Sequence, residues 1–251
     1  MGHAVVHFEA GAADDGTLVA FYGGVFGWHL REASGGRHTA IDAGGRDISG
    51  ALRQPPDCER WPAIFVDSDD PRATLDKANS LGGTTILPLT ELGDGLTVAV
   101  FGDPDGLPIG LVQAPVPSPS APSGEAVDWF EILGSDPQRS QHFYADLFGW
   151  KVHSEFPDYA VVETETGRGI WGGIGGGLES RWAIVYAGVS DMDSILRGVE
   201  KLGGARIPAT EVTALKKAAR TALYGSADDI TTEVIRDPAG NLFGLYQKQA
   251  Q

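Results

Sequence analysis

Ala4-Val5-Val6-His7-Phe8-Glu9 opens the chain, and Ala126-Val127-Asp128-Trp129-Phe130-Glu131 opens its second half in nearly the same words. Each stretch is followed at the same distance by Phe21-Tyr22 or Phe143-Tyr144, then by Phe26-Gly27-Trp28 or Phe148-Gly149-Trp150. Each half closes on an Asp-Pro turn and a short apolar run. These are Asp103-Pro104-Asp105-Gly106 before Gly110-Leu111-Val112-Gln113, and Asp237-Pro238-Ala239-Gly240 before Gly244-Leu245-Tyr246-Gln247. A period this long, with the same order of strand and helix signals, means duplication of a whole domain and not a solenoid.

Working outward, Val5 to Ala10 alternates as a strand does. Thr17 to Phe26 carries Leu18, Phe21, Tyr22 and Val25 at helical spacing, and Gly27 stops it. Strands are predicted at 28–32, 38–42 and 48–53. The pattern then restarts with strand 63–67, helix 71–81 and strands 84–89, 97–101 and 108–113. That is βαβββ twice, and the second half repeats it, with helices at 138–148 and 191–202. Phe21, Tyr22, Phe26, Trp28 and their counterparts belong to the core by helical spacing. Between the Gly-Gly pair and the Asp-Pro turn, 84–102 becomes 205–236 in the second copy. The added length holds Leu215-Lys216-Lys217-Ala218-Ala219-Arg220, read as a solvated hairpin or helix, or as a lid that attracts an anionic ligand.

Ala114-Pro115-Val116-Pro117-Ser118-Pro119-Ser120-Ala121-Pro122-Ser123-Gly124 lies between the copies, and its prolines cannot join a sheet ladder. The expected organisation is therefore a domain over 1–113, a linker over 114–125 and a second domain over 126–251. The 251 residues, 42% of them hydrophobic, suffice for two cores. The formal charge of -15 repels nucleic acid and anionic lipid. No run is long and apolar enough to cross a bilayer, there is no leader pattern, and Cys58 is the sole cysteine. A cytoplasmic monomer or homodimer is expected, with no nucleic-acid or membrane partner, and Cys58 has no adjacent base to activate it.

The Phe-Tyr…Phe-Gly-Trp helix end and the Asp-Pro-x-Gly turn, present in both copies, resemble the vicinal oxygen chelate superfamily. That group contains glyoxalase I, bleomycin-resistance proteins and extradiol dioxygenases. More narrowly, the chain resembles actinobacterial proteins with two fused glyoxalase-like domains. The resemblance implies an α+β fold: two tandem domains, each a cupped mixed sheet of two βαβββ modules with helices outside. In metal-using members the ion is held by residues of the first, fifth and last strands of a cup. At those positions this chain offers His7, Ala63 or Ile64, and Gly110 in the first copy. In the second it offers Trp129, Ile184 or a neighbour, and Gly244. A divalent ion needs three or four converging N or O donors, so no metal site and no cofactor are expected.

Strand alternation aims Val5, His7 and Glu9 into the first cup, and Val127, Trp129 and Glu131 into the second. Gly110 and Val112, and Leu242, Gly244 and Tyr246, face the cups from the last strands. Glycines at Gly110 and Gly244 are expected to leave room for an organic molecule. Trp129 and Tyr246 then supply flat surface for an aromatic or polycyclic ligand, with Trp171 capping the second cup. The alternative for Trp129 is that it fills the cup. Glu9 and Glu131 are the candidate general bases, their pKa values raised by an apolar wall, and His7 pairs with Glu9 at i, i+2. The run Gly172 to Gly177 lacks the lysine and helix of a phosphate loop and reads as a flexible strand exit.

The expected function is metal-independent binding of a small molecule, of the glyoxalase/bleomycin-resistance type, with natural-product binding or sequestration as its expected use. The alternative is a metal-free lyase, isomerase or cyclase in which Glu9 or Glu131 moves a proton. A metal-dependent glyoxalase or dioxygenase fits the residues least.

Overall fold

A computed structural model of the chain describes residues 3–11, 15–32, 38–44, 48–53, 61–93, 96–113, 123–156, 158–164, 167–176, 181–208 and 230–248. Cys58, Gly177, the basic cluster 215–220 and the linker residues 114–122 lie outside them.

The first half runs β1 (Val5–Gly11), α1 (Asp15–Phe26), β2 (His29–Glu32), β3 (His38–Gly44), β4 (Ser49–Arg53), β5 (Ile64–Asp67), α2 (Pro71–Ser80), β6 (Thr84–Gly93), β7 (Leu96–Gly102) and β8 (Pro108–Gln113). The second runs β9 (Ser123–Gly134), α3 (Pro137–Phe148), β10 (Lys151–Phe156), β11 (Tyr159–Glu163), β12 (Trp171–Gly176), β13 (Trp182–Gly188), α4 (Met192–Lys201), β14 (Ala205–Arg206), β15 (Ile230–Arg236) and β16 (Leu242–Lys248). The fold is α+β, as expected. Asp70, Asp136 and Asp191 cap α2, α3 and α4 by accepting from the backbone N–H three residues on. Proline at the first turn of α2 and α3 needs no donor there. Gly149 ends α3 in the left-handed region, at φ 73°.

Each βαβββ module has the same register. β1 lies parallel to β4, β5 to β8, β9 to β12 and β13 to β16. The modules join pairwise through antiparallel β1–β5 and β9–β13. In each of these four parallel pairs an aromatic ring lies over a glycine: Phe8 over Gly50, Phe65 over Gly110, Phe130 over Gly172 and Tyr186 over Gly244. A methyl group at any of these glycines would collide with its ring. The volume expected to await a ligand at Gly110 and Gly244 is thus taken by Phe65 and Tyr186.

Two further expectations need correction. β9 starts at Ser123, so residues 123–125, predicted as linker, extend a strand that pairs with β3. Gly124, at φ 66°, lets that strand approach the end of α1 closely. The glycine run 172–176 is a regular strand inside the sheet, not a flexible exit.

Three apolar clusters result. The largest lies on the helix side and is continuous through both halves, taking in Phe8, Tyr22, Trp28, Phe130, Tyr144, Trp150 and Phe243. The other two line the cups: Val6, Phe65, Val98 and Val112 in the first, and Trp129, Ile184, Tyr186, Ile230, Val234 and Tyr246 in the second. Among the described residues no helix is long and apolar enough to cross a membrane.

Candidate functional site

A bulge sets what each cup displays. The β1–β5 pairing skips Val6 between Val5–Val66 and His7–Phe65, and β9–β13 skips Asp128 in the same way. The extra residue breaks the alternation. Val5 and Val127, expected to face the cups, sit in the helix-side core, while Val6 lines the first cup. Asp128 turns its carboxylate to the Tyr246 hydroxyl at 2.6 Å. From His7 and Trp129 onward the expected alternation holds.

In the first cup Glu9 is buried and fully engaged. Arg53 Nε lies 3.0 Å from both its oxygens, His7 Nε2 is 3.2 Å from Oε1, and Trp61 Nε1 donates to Oε2. Burial pushes the carboxyl up, but the His7 bond, the Arg53 charge and the Trp61 bond outweigh it and hold Glu9 below its ordinary value. The expected raised pKa is therefore reversed at Glu9: a carboxylate tied to a guanidinium is a poor proton acceptor. His7 does pair with Glu9, and its Nδ1 meets Ser49 Oγ at 2.7 Å.

The equivalent residue of the second cup has the opposite character. Glu131 is 0% exposed and receives only the hydroxyls of Tyr159, at 2.8 Å, and Tyr186, at 2.7 Å. Burial dominates and raises its pKa to about 7, against the two tyrosine bonds. Both tyrosines are themselves raised well above their usual range, by burial and by the neighbouring carboxyl. The glycines make this possible. Gly173 stands in register with Glu131, and a side chain there would displace the Tyr159 hydroxyl. Gly244 likewise seats the Tyr186 ring. In the first half Tyr186 is replaced by Phe65, which has no hydroxyl, and Glu9 draws on Arg53 instead.

Trp129 is buried beside Tyr186 and Tyr246, as expected of a cup residue. Its Nε1, and Oγ1 of Thr232 on β15, are buried without a hydrogen-bond partner among the described residues. The indole N–H approaches the Tyr159 hydroxyl closely enough to oppose that group's rise, without the geometry of a bond. Trp171 pairs in register with Trp129 and is 50% exposed, the one large apolar side chain so open among the described residues.

The superfamily's metal positions can now be read from register. His7 aligns with Ser49, Phe65 and Gly110, and Trp129 with Trp171, Tyr186 and Gly244. The fifth-strand position is thus Phe65 and not Ala63 or Ile64, and Tyr186 and not Ile184, because the antiparallel β1–β5 and β9–β13 pairings put those residues directly opposite His7 and Trp129. Neither row is a donor set for a divalent ion. No group of three or more His, Cys, Asp or Glu converges among the described residues.

Sequence reading missed Ser49, Arg53 and Trp61 around Glu9, and Tyr159, Tyr186, Asp128 and Thr232 around Glu131. A parallel β1–β4 pairing would have exposed Ser49 and Arg53, since His7 and Gly11 lie opposite them. The bulge leaves no mark in a period-two pattern.

Comparison with known proteins agrees with this architecture. Residues 4–111 match the Glyoxalase/Bleomycin resistance protein/Dioxygenase superfamily, and residues 127–165 match the bleomycin resistance protein-like N-terminal family. The anthracycline biosynthesis protein DnrV of Streptomyces peucetius is 25% identical over 224 residues, 78% of this chain and 81% of that one. CFP32 of Mycobacterium bovis, named as a glyoxylase, is 24% identical over 260 residues, 95% of this chain and 92% of that one. Among solved structures, the Mn(II)-bound glyoxalase from Novosphingobium aromaticivorans superposes with a TM-score of 0.64 at 16% identity, covering 98% of this chain and 82% of its own. Homoprotocatechuate 2,3-dioxygenase from Brevibacterium fuscum, with its substrate 3,4-dihydroxyphenylacetate, gives 0.62 at 16% identity, with 98% and 81% covered. The first half of the chain thus matches the glyoxalase/bleomycin resistance protein/dioxygenase superfamily, and the second half repeats its fold and matches a bleomycin resistance protein-like family over 127–165.

Proposed function

We propose that the protein binds a small aromatic or polycyclic organic molecule in its second cup, without a metal or cofactor. The observation that carries this reading is the pair of buried polar atoms without a hydrogen-bond partner among the described residues, Trp129 Nε1 and Thr232 Oγ1, in the cup that holds Glu131. An unpaired buried donor costs roughly 1–3 kcal/mol, so a fold keeps it where something else satisfies it. A ligand carbonyl can accept from Trp129, while Glu131, able to hold a proton near neutrality, donates to or accepts from a ligand oxygen. Trp129, Tyr246 and the half-exposed Trp171 provide ring surface. The likeness to DnrV supports a polycyclic ligand. Nucleic acid and membrane are disfavoured by the charge of -15.

A second reading, proton transfer in a metal-free lyase, isomerase or cyclase, is favoured by Glu131 itself. A carboxyl of pKa about 7, contacted among the described residues by tyrosines and no cation, matches what a general acid or base needs.

Native mass spectrometry of the purified full chain, with elemental analysis, tests the first reading. An organic mass retained with substoichiometric metal is expected, whereas about one zinc, iron or manganese per chain after dialysis overturns metal independence. Titration with a hydroxyanthraquinone probe then separates the two. Glu131→Gln weakens binding modestly in a carrier and abolishes turnover in an enzyme.

A further inference from the structure

The first cup holds an arrangement the second lacks. Ser49 Oγ lies 2.7 Å from His7 Nδ1, and His7 Nε2 lies 3.2 Å from Glu9 Oε1. With Nε2 protonated toward the Glu9 carboxylate, Nδ1 keeps its lone pair for the Ser49 hydroxyl. The next acceptor of that hydroxyl, the Val6 carbonyl oxygen, is farther away at 3.5 Å. Glu9 cannot turn aside, because Arg53 and Trp61 hold its oxygens. Glu9 is the most enclosed of the three: its side chain is 2% exposed and that of His7 14%, while Ser49 is partly exposed. This is the layering of a nucleophile, a base and the carboxylate that orients the base.

We propose that Ser49 and His7 are catalytic residues, with Glu9 as positioning residue, for cleavage of uncharged carboxylic esters in the first cup. The Ser49 oxygen attacks the ester carbonyl carbon as His7 Nδ1 takes the hydroxyl proton. The tetrahedral adduct collapses, the carbon–oxygen bond to the alcohol breaks, and that alcohol leaves with the proton from His7. Water then attacks the acyl-Ser49, giving its proton to His7. The bond to Ser49 breaks, the carboxylic acid departs and Ser49 recovers its proton. Val6, Val98 and Val112, with Leu87 and Leu96 packed against them, offer an apolar wall for the acyl chain. The net charge of -15 disfavours an anionic substrate. The duplication supplies an internal control, since the positions of His7 and Ser49 are Trp129 and Trp171 in the second cup.

The full chain is treated with a fluorophosphonate probe, the adduct is located by peptide mass spectrometry, and hydrolysis of p-nitrophenyl butyrate is followed in parallel. A single adduct on Ser49 is expected, together with ester hydrolysis that Ser49→Ala removes. His7→Gln slows labelling by roughly a hundredfold. Glu9→Gln slows it less, and Glu9→Asp, which keeps a carboxylate toward His7, recovers part of the rate that Glu9→Gln loses. Ser49→Ala changes one buried-edge oxygen, and its thermal unfolding is compared with that of the parent so that a loss of activity is not a loss of fold. Absence of a Ser49 adduct, an adduct on another serine, or hydrolysis undiminished in Ser49→Ala each overturns the proposal.

Discussion

The Tyr22 hydroxyl donates to Asp237 at 3.0 Å from the opposite half of the chain, and Tyr144 repeats the bond to Asp103 at 3.0 Å. The tyrosines come from the duplicated helix motif and the aspartates from the duplicated Asp-Pro turn. The motifs that reveal the duplication therefore also hold the two copies together. Each tyrosine stacks on the tryptophan that follows its helix, Tyr22 on Trp28 at 5.7 Å and Tyr144 on Trp150 at 5.8 Å. Those indoles donate across the halves as well, Trp28 to the Glu125 carbonyl and Trp150 to the His3 carbonyl. α1 packs against α4 and α2 against α3, closing the shared helix-side core.

Tyr22→Phe keeps the ring stack and removes one bond to a buried carboxylate. Asp237 retains bonds from Asn241 and Ala239, so the loss is expected near the low end, about 1–2 kcal/mol. Because the core is shared, urea unfolding followed by tryptophan fluorescence and by circular dichroism should give one coincident transition. Segments 1–113 and 123–251 made separately should fold only when combined. A half that unfolds cooperatively on its own contradicts this.

Glu131 and Glu9 should give stability opposite dependences on pH. The folded pKa of Glu131, about 7, lies above its ordinary 4.5, so the native state holds the proton more tightly. Its stabilising effect is complete below pH 4.5 and is lost as pH rises through 7. Glu131→Gln should remove that slope and gain up to about 3 kcal/mol at pH 8. Glu9, held below its ordinary value, contributes above pH 4.5 and loses that contribution as pH falls through its folded pKa. Denaturant midpoints from about pH 2 to pH 9 for the parent and both Gln variants check the two signs.

Arg53→Met should be among the most damaging single changes in the first cup. It strands Glu9 in the interior with neutral donors and His7, at a cost of about 3–5 kcal/mol. Adding Glu9→Gln should restore part of that loss, because the buried charge goes with its partner. A double variant no more stable than Arg53→Met in a double-mutant cycle would show that packing of the Arg53 stem, and not the charge, is what matters.

The elements were legible because each announces itself locally. Asp70-Pro71 and Asp136-Pro137 mark helix starts, Gly27 and Gly149 mark helix ends, and the alternation from His7 onward aims Glu9 correctly. What could not be read depends on pairing between distant strands. Val6 and Asp128 become bulge residues only against β5 and β13, and the register of those same pairs is what puts Phe65 and Tyr186 opposite His7 and Trp129. The contrast between Glu9 and Glu131 rests on Arg53, 44 positions from Glu9, and on Tyr186, 55 from Glu131. Gly110 and Gly244, which suggested empty space, mark rings folded over the backbone, a role that a glycine does not declare by itself.

Trp129→Phe and Thr232→Val separate a binding cup from one that merely packs. Each keeps most of the apolar volume and deletes a polar atom that is buried without a partner among the described residues. In the protein without ligand the deletion should be neutral or stabilising, by up to about 1 kcal/mol, since an unmet desolvation cost disappears. In the complex with a hydroxyanthraquinone the same atoms are satisfied, and losing one should weaken affinity by roughly tenfold, near 1.4 kcal/mol. Thermal shift of the unliganded variants and fluorescence titration with the probe give the two numbers independently. Stability that rises while affinity falls assigns these atoms to the ligand. Stability and affinity both unchanged would mean that ordered water meets them, and that the second cup is closed to ligands of this class.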